Sequence, residues 1–158
     1  MRVQAQSLII MLKKIFAPAK NSNSANFALL VLRLWIGFEM LMIHGIDKFT
    51  HFHAYSEKFL DPFGIGSTAS LALSVFAEFF VSILIILGLF TRWSALVLAI
   101  NMTVAFLGVH KAALSGDHSG EMAFLYLMAY VVLVLAGPGR FSADKILFGK
   151  NPAGKSVH

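Results

Sequence analysis

The stretch FALLVLRLWIGFEMLMIHGIDKF, Phe27–Phe49, decides the fold. It is apolar and exceeds the roughly 20 residues that a helix needs to cross a bilayer. Yet it carries Arg33, Glu39 and His44 within the span and closes on Asp47 and Lys48. Charge in hydrocarbon is costly, so these residues mark either a function or a tightly paired internal network. Arg33, Gly37, Met40, His44 and Lys48 recur at helical spacing and share one face. Gly37 on that face lets another helix approach closely. Glu39 points roughly 120° away and calls for a partner from elsewhere in the chain.

The remaining sequence supplies the surroundings such a helix needs. Of the 158 residues, 58% are hydrophobic and only 13% charged, whereas soluble domains carry about 25% charge. One small soluble core cannot hide that apolar excess, so the chain reads as an integral membrane protein in contact with the lipid bilayer. There is no cysteine, which excludes disulfides, thiolate metal ligation and a cysteine nucleophile within the chain. The net charge of +5 sits mostly in the tails. It points to membrane orientation and anionic headgroups rather than to nucleic acid.

The hydropathy pattern predicts an all-α fold, a four-helix transmembrane bundle with short interfacial helices. Residues 1–26 form an N-terminal interfacial segment and linker, with an amphipathic helix ending at Pro18 and Ser24 or Asn26 as helix caps. Spans follow at about 27–47, 68–89, 93–110 and 121–136 within a transmembrane domain over 27–139. Between the first two spans, a short interfacial helix is expected near Ala54–Leu60, then a turn through DPFGIGS. Thr91-Arg92-Trp93 reads as a tight turn joining spans two and three. Gly137-Pro138-Gly139 stops the last span, and 140–158 is a basic tail with an amphipathic turn at SADKILF. Arg2, Lys13, Lys14, Lys20, Arg92, Arg140, Lys145, Lys150 and Lys155 fall on one side, against Lys48, Lys58 and Lys111 on the other. The heavier side is the cytoplasmic one, which places both termini on the cytoplasmic face of the plasma membrane.

Equal centring of the spans puts Glu39, Glu78 and Asn101 within ~5 Å of the midplane, and Arg33 ~6 Å to the cytoplasmic side. The expectation is one polar cluster of Arg33, Glu39, Glu78 and Asn101. Two carboxylates and one guanidinium leave an excess negative charge, met by a proton on one Glu, a cation or a ligand donor. A second level, with His44, His110 and Glu121 and then Asp47, Lys48, Lys111, His118, His51 and His53, offers proton relay or metal binding. Plain interfacial anchoring of the same side chains stands beside that reading, and no metal ligand is assigned. Tyr126 and Tyr130, one turn apart in the last span, read as packing residues that a ring-shaped headgroup could also stack upon.

Three elements, LRLWIGFEMLMIHGIDKF, AEFFVSILIILGLFTRWSAL and GPGRFSADKIL, together resemble the DoxX family of small four-helix membrane proteins. The likeness runs from about Leu29 to Leu147. It implies a four-helix bundle that works with redox proteins. Relatives include membrane subunits of thiosulfate:quinone oxidoreductase, members that assemble with superoxide dismutase and a sulfur transferase, and members linked to quinone or thiol stress. The matching polar positions are Arg33, His44, Lys48, Glu78, Arg92, Arg140 and Asp144, the last three as turn and C-terminal anchors.

These readings combine into a membrane subunit of a quinone-linked redox system, an accessory to an oxidoreductase rather than a self-sufficient enzyme. Glu78, Glu39 and His44 are the candidate proton-exchanging residues. Arg33, Glu78, Asn101 and Lys48 are candidates for holding the quinone. A redox protein partner would supply electrons, and a homo-oligomer is compatible. Two other classes remain open: a non-enzymatic scaffold for a redox or stress-response partner, and a small transporter or metal-handling protein.

Overall fold

The computed structural model describes residues 22–117 and 119–148. The expected interfacial helix before Pro18, His118 and the last part of the basic tail lie outside them. The described residues form a helical membrane protein. Helix α1 is Asn23–Thr50, α2 is the single turn Phe52–Tyr55, α3 is Ser67–Leu87 and α4 is Thr91–Val109. Helix α5 is Glu121–Ala136 and α6 is Ala143–Phe148. Helices α1, α3 and α4 are each long and apolar enough to cross a membrane. Helix α5, at 16 residues, spans about 24 Å and completes a four-helix ring in which α1 packs on α3, α3 on α4, α4 on α5 and α5 on α1.

Apolar burial in the middle of this ring comes from Met40, Leu98, Tyr130 and Leu133 among others. The outside is equally apolar. Trp35, Trp93 and Leu135 are each at least 70% exposed, which a soluble surface does not tolerate in such numbers and a lipid-facing one requires.

Glycines fix how α1 sits on α3. A Cβ on Gly37 would meet the Ile86 side chain at 2.7 Å, and one on Gly45 would strike the Glu78 backbone carbonyl. Small residues at these positions let the two backbones touch, as membrane helices do when they lack a hydrophobic driving force for association. The contact sets an antiparallel register in which residue 45 is level with 78 and residue 37 with 86.

The ends differ in detail from expectation. Asn26 and Ser24 lie inside α1 rather than capping it. Asn26 Oδ1 instead accepts the Arg140 backbone N–H at 2.8 Å, and Asn23 Oδ1 accepts from the Arg140 guanidinium at 2.9 Å, so the start of α1 holds the segment after α5. The tight turn is Gly88–Phe90, not Thr91–Trp93, because Gly88 (φ 70°) and Phe90 (φ 47°) take the left-handed conformation and α4 begins at Thr91. The short interfacial helix comes two residues earlier than expected and stops at Tyr55, where Tyr55 donates to Asp47 Oδ2 at 3.0 Å.

Candidate functional site

Three of the four bundle helices contain a π-helical segment: Met40–Gly45 in α1, Phe76–Val81 in α3 and Ala105–Val109 in α4. Such widened turns recur at functional sites, where they re-aim side chains that a regular helix would direct elsewhere. The first two pack against each other and present His44 and Glu78, while Lys48 follows one turn later.

Glu78 is buried, only 4% exposed. Its Oε2 accepts from Lys48 Nζ at 2.5 Å. Its Oε1 accepts from Ser74 Oγ and from Asn101 Nδ2, each at 3.0 Å. A buried carboxylate is tolerated only when its charge is paired and its lone pairs are occupied, and α1, α3 and α4 each contribute to that end. The cation paired with Glu78 is therefore Lys48, not Arg33.

Beside this cluster lies a cavity of about 580 Å³, within the size range of small-molecule sites. His44, Lys48, Ser70, Ser74, Glu78, Asn101 and His110 supply its polar lining. Its other walls are apolar, from Leu73 and Phe76 on α3, Val97 and Ile100 on α4, and Met122 and Tyr126 on α5. Phe59, Leu60, Pro62 and Phe63 close one side. His44 meets the Tyr126 ring edge-on at 5.9 Å, and Tyr126 stacks on Tyr130 at 6.4 Å. Both tyrosines are buried, as their packing role required.

The segment that closes the cavity is organised by Asp61. Its carboxylate accepts the Gly66 N–H at 2.8 Å, the Ile65 N–H at 3.0 Å and the Ser70 hydroxyl at 2.9 Å. The Gly66 bond above all holds Asp61 below the ordinary carboxylate value of 3.8, against a smaller opposing effect of desolvation. Sequence reading passed over Asp61. The signal was present, since Asp ahead of a Gly-rich turn commonly bonds the backbone a few residues on.

Arg33 does not join Glu78. It is 1% exposed, donates to the Ile85 carbonyl at 3.2 Å and to the Phe141 carbonyl, and lies where Gly88 has no side chain. Asp144 is the acid that acts on it. Asp144 in turn accepts the Phe90 and Thr91 N–H groups at 2.7 and 2.9 Å, capping α4. Arg33 and Asp144 thus clasp the α3–α4 turn to the segment after α5, and about 22 Å of helix separates Arg33 from Lys48. The observed register departs by roughly two turns from one that centres both spans alike, which is why the expected four-residue cluster does not form. Glu39 also stands apart. It acts electrostatically on His44 and Tyr126 but does not line the cavity, and it makes no ion pair among the described residues. Of the outer histidines, His51 pairs with Asp47 at 3.0 Å on the exposed surface and His53 is exposed. Among the described residues no three metal-ligating side chains converge.

The family model for DoxX matches residues 28–111, which include α1 from its second turn on, α3, α4 and the Lys48–Glu78–Asn101 cluster. The chain belongs to the DoxX family. Two relatives from Haemophilus influenzae, both described as uncharacterized proteins, match most of its length. One is 30% identical over 129 residues, covering 78% of this chain and 93% of the relative. The other is 28% identical over 128 residues, covering 76% and 83%. No solved structure matches. In this DoxX protein, the cavity and the Arg33–Asp144 clasp lie at opposite ends of the bundle. The matched region carries both the cavity acid Glu78 and the clasp arginine Arg33.

Proposed function

We propose that this DoxX protein is the membrane subunit of a quinone-linked redox system, and that its cavity takes a neutral, tailed molecule bearing carbonyl oxygens. One observation carries the reading: a charge-neutral ion pair beside uncommitted hydrogen-bond donors at the head of an apolar cavity. Glu78 has its bonds filled by Lys48, Ser74 and Asn101. Open toward a ligand beside them are the rest of the Lys48 ammonium and the His44 imidazole, which makes a ring contact and no hydrogen bond among the described residues. These favour acceptor oxygens. Lys48 is already neutralised by Glu78, so an anionic headgroup would be buried without a counter-charge, whereas a neutral carbonyl would not.

Reduction of such a molecule takes up protons as well as electrons. His44 is placed to hand on a proton, since an imidazole can accept one at one ring nitrogen and donate one from the other. Lys48 and Glu78 hold the headgroup end, and Asn101 orients Glu78. Glu39 adds a negative field behind His44. Electrons would come from a separate redox protein, the chain having no cysteine to ligate a cluster.

The test is equilibrium binding of a short-tailed benzoquinone, decylubiquinone, to the protein in nanodiscs, corrected for empty nanodiscs. Wild type should bind about one equivalent. Ala105→Phe, which fills the cavity without touching the ion pair, should abolish binding. No saturable uptake by wild type, or equal uptake by the filled variant, overturns the reading.

A second reading rests on the completeness of the Glu78 shell. As a structural lock it would serve a non-enzymatic scaffold for a redox or stress-response partner. In that case Glu78→Gln would change thermal stability and leave quinone-linked activity of the assembled system untouched.

We also assign both termini to the cytoplasmic face of the plasma membrane. Arg92, Arg140 and Lys145 share the end of the bundle where α1 begins, opposite Lys48, Lys58 and Lys111. The cysteine-free chain makes this simple to check. A membrane-impermeant maleimide on intact cells should label Ser115→Cys, and should label Lys145→Cys only after lysis.

A further inference from the structure

Buried polar side-chain atoms are nearly always hydrogen-bonded, and each exception calls for a reason. Among the described residues, the exceptions are Arg33 Nε, Ser82 Oγ, Thr91 Oγ1, Tyr126 Oη and Tyr130 Oη. Only one of these atoms belongs to a residue that lines the cavity, and it is Tyr126 Oη. Tyr126 is 5% exposed. Its ring is held by the His44 edge on one side and by Tyr130 on the other, so the phenol is fixed in place with its bond unmade. The rest of α5 offers the cavity only Met122 and Ala123, neither of which can bond an oxygen.

We propose that Tyr126 is a ligand-binding residue, a pre-positioned phenol that hydrogen-bonds a carbonyl oxygen of the molecule held in the cavity. The proposal rests on the quinone-class reading above and adds to it a contact from α5, opposite the Lys48–Glu78 pair. A neutral donor suits this position for the same reason that the ion pair does: neither asks for charge on the ligand. A rigid aromatic donor beside an imidazole also favours a flat headgroup over a flexible one. The competing role for the hydroxyl is a bond to Glu39, which lies near enough to act on it both as a charge and as a hydrogen-bond partner, although the contact falls short of hydrogen-bond geometry.

Tyr126→Phe removes the oxygen and keeps the ring. It should weaken decylubiquinone binding about ten-fold, the scale of one lost hydrogen bond. It should leave binding of decylbenzene, which has the tail but no acceptor, unchanged. Because the deleted hydroxyl is unbonded in the free protein, the melting temperature should stay level or rise. Tyr130→Phe, away from the cavity, should move neither affinity. Unaltered quinone affinity in Tyr126→Phe overturns the proposal while leaving the quinone-class reading standing, and so does an equal loss for both probes. A lowered melting temperature that Glu39→Gln abolishes would assign the hydroxyl to Glu39 and overturn it as well. Absence of quinone binding by wild type instead removes the reading beneath it.

Discussion

Lys48 of α1 and Glu78 of α3 close an ion pair of 2.5 Å inside a membrane bundle. The Glu78 side chain is almost fully buried and the Lys48 side chain about one-fifth exposed. Such a pair is costly to assemble and costlier to break on one side, because the survivor is left as an uncompensated buried charge.

Lys48→Met should therefore destabilise the bundle by about 3–5 kcal/mol. Lys48→Met with Glu78→Gln should recover most of that loss, since Ser74 and Asn101 still bond the neutral amide. Thermal unfolding in detergent checks this. A double variant no more stable than the single would mean that Glu78 is not charged by virtue of Lys48.

The Arg33 clasp makes a separable prediction. Arg33→Met leaves the buried Ile85 carbonyl and the part-buried Phe141 carbonyl without their donor, a loss of about 1–3 kcal/mol. Asp144→Ala removes the cap of α4, about 1 kcal/mol. The two act on one clasp, so their combination should cost less than their sum. Quinone affinity of the folded Arg33→Met variant should stay within two-fold of wild type. A large loss of affinity at preserved fold would return Arg33 to the ligand site.

The all-helical membrane fold was legible in the sequence, because apolar runs are strong signals; Glu78, His44, Lys48 and Asn101 stood out there as polar residues within apolar spans, and the fold brings them to one cavity. The partition of the polar residues was not. Hydropathy gives the centre of a span only loosely, and a shift of roughly two turns between α1 and α3 exchanges one set of neighbours for another. That shift is fixed by where Gly45 meets the Glu78 backbone, a contact between backbones that composition does not reveal. The π-segments add to this, since one widened turn rotates everything beyond it away from the faces predicted at 100° per residue. Asp144 was legible as an anchor, whereas the Asn23 and Asn26 contacts to Arg140 required the fold.

Gly45 and Gly37 offer a matched pair of substitutions. Gly45→Ala drives a methyl group into the Glu78 carbonyl, which belongs to a helix backbone and cannot step aside. Gly37→Ala meets the Ile86 Cγ1 at 2.7 Å, a side-chain carbon that moves only with the stiff χ1 of a β-branched residue but still yields more readily than backbone. Overpacking of the first kind costs about 1–3 kcal/mol and should also part the two π-segments that carry His44 and Glu78. Gly45→Ala should thus lower both melting temperature and quinone affinity, and Gly37→Ala should do distinctly less of each. Equal effects would show that the register is set elsewhere.

Asp61 gives the pH prediction. Its folded value is depressed below 3.8, first by the Gly66 N–H bond, with the Ser70 hydroxyl and Ile65 N–H acting in the same sense. A depressed carboxylate stabilises the folded segment fully above its unfolded value, and that contribution is lost as pH falls through the folded value. At neutral pH the turn over 61–66 should be closed, and the Ile65 and Gly66 amides should exchange slowly with solvent. Below the ordinary carboxylate range the bonds weaken, protection should fall, and Phe59, Leu60, Pro62 and Phe63 lose the anchor that keeps them against the cavity. Asp61→Asn should show poor protection of these amides at neutral pH and little further change on acidification. The measurement is hydrogen exchange followed by mass spectrometry across residues 59–70, after correction for the pH dependence of intrinsic exchange. Protection of the Gly66 amide in Asp61→Asn equal to wild type at neutral pH would mean that something other than the carboxylate closes the turn.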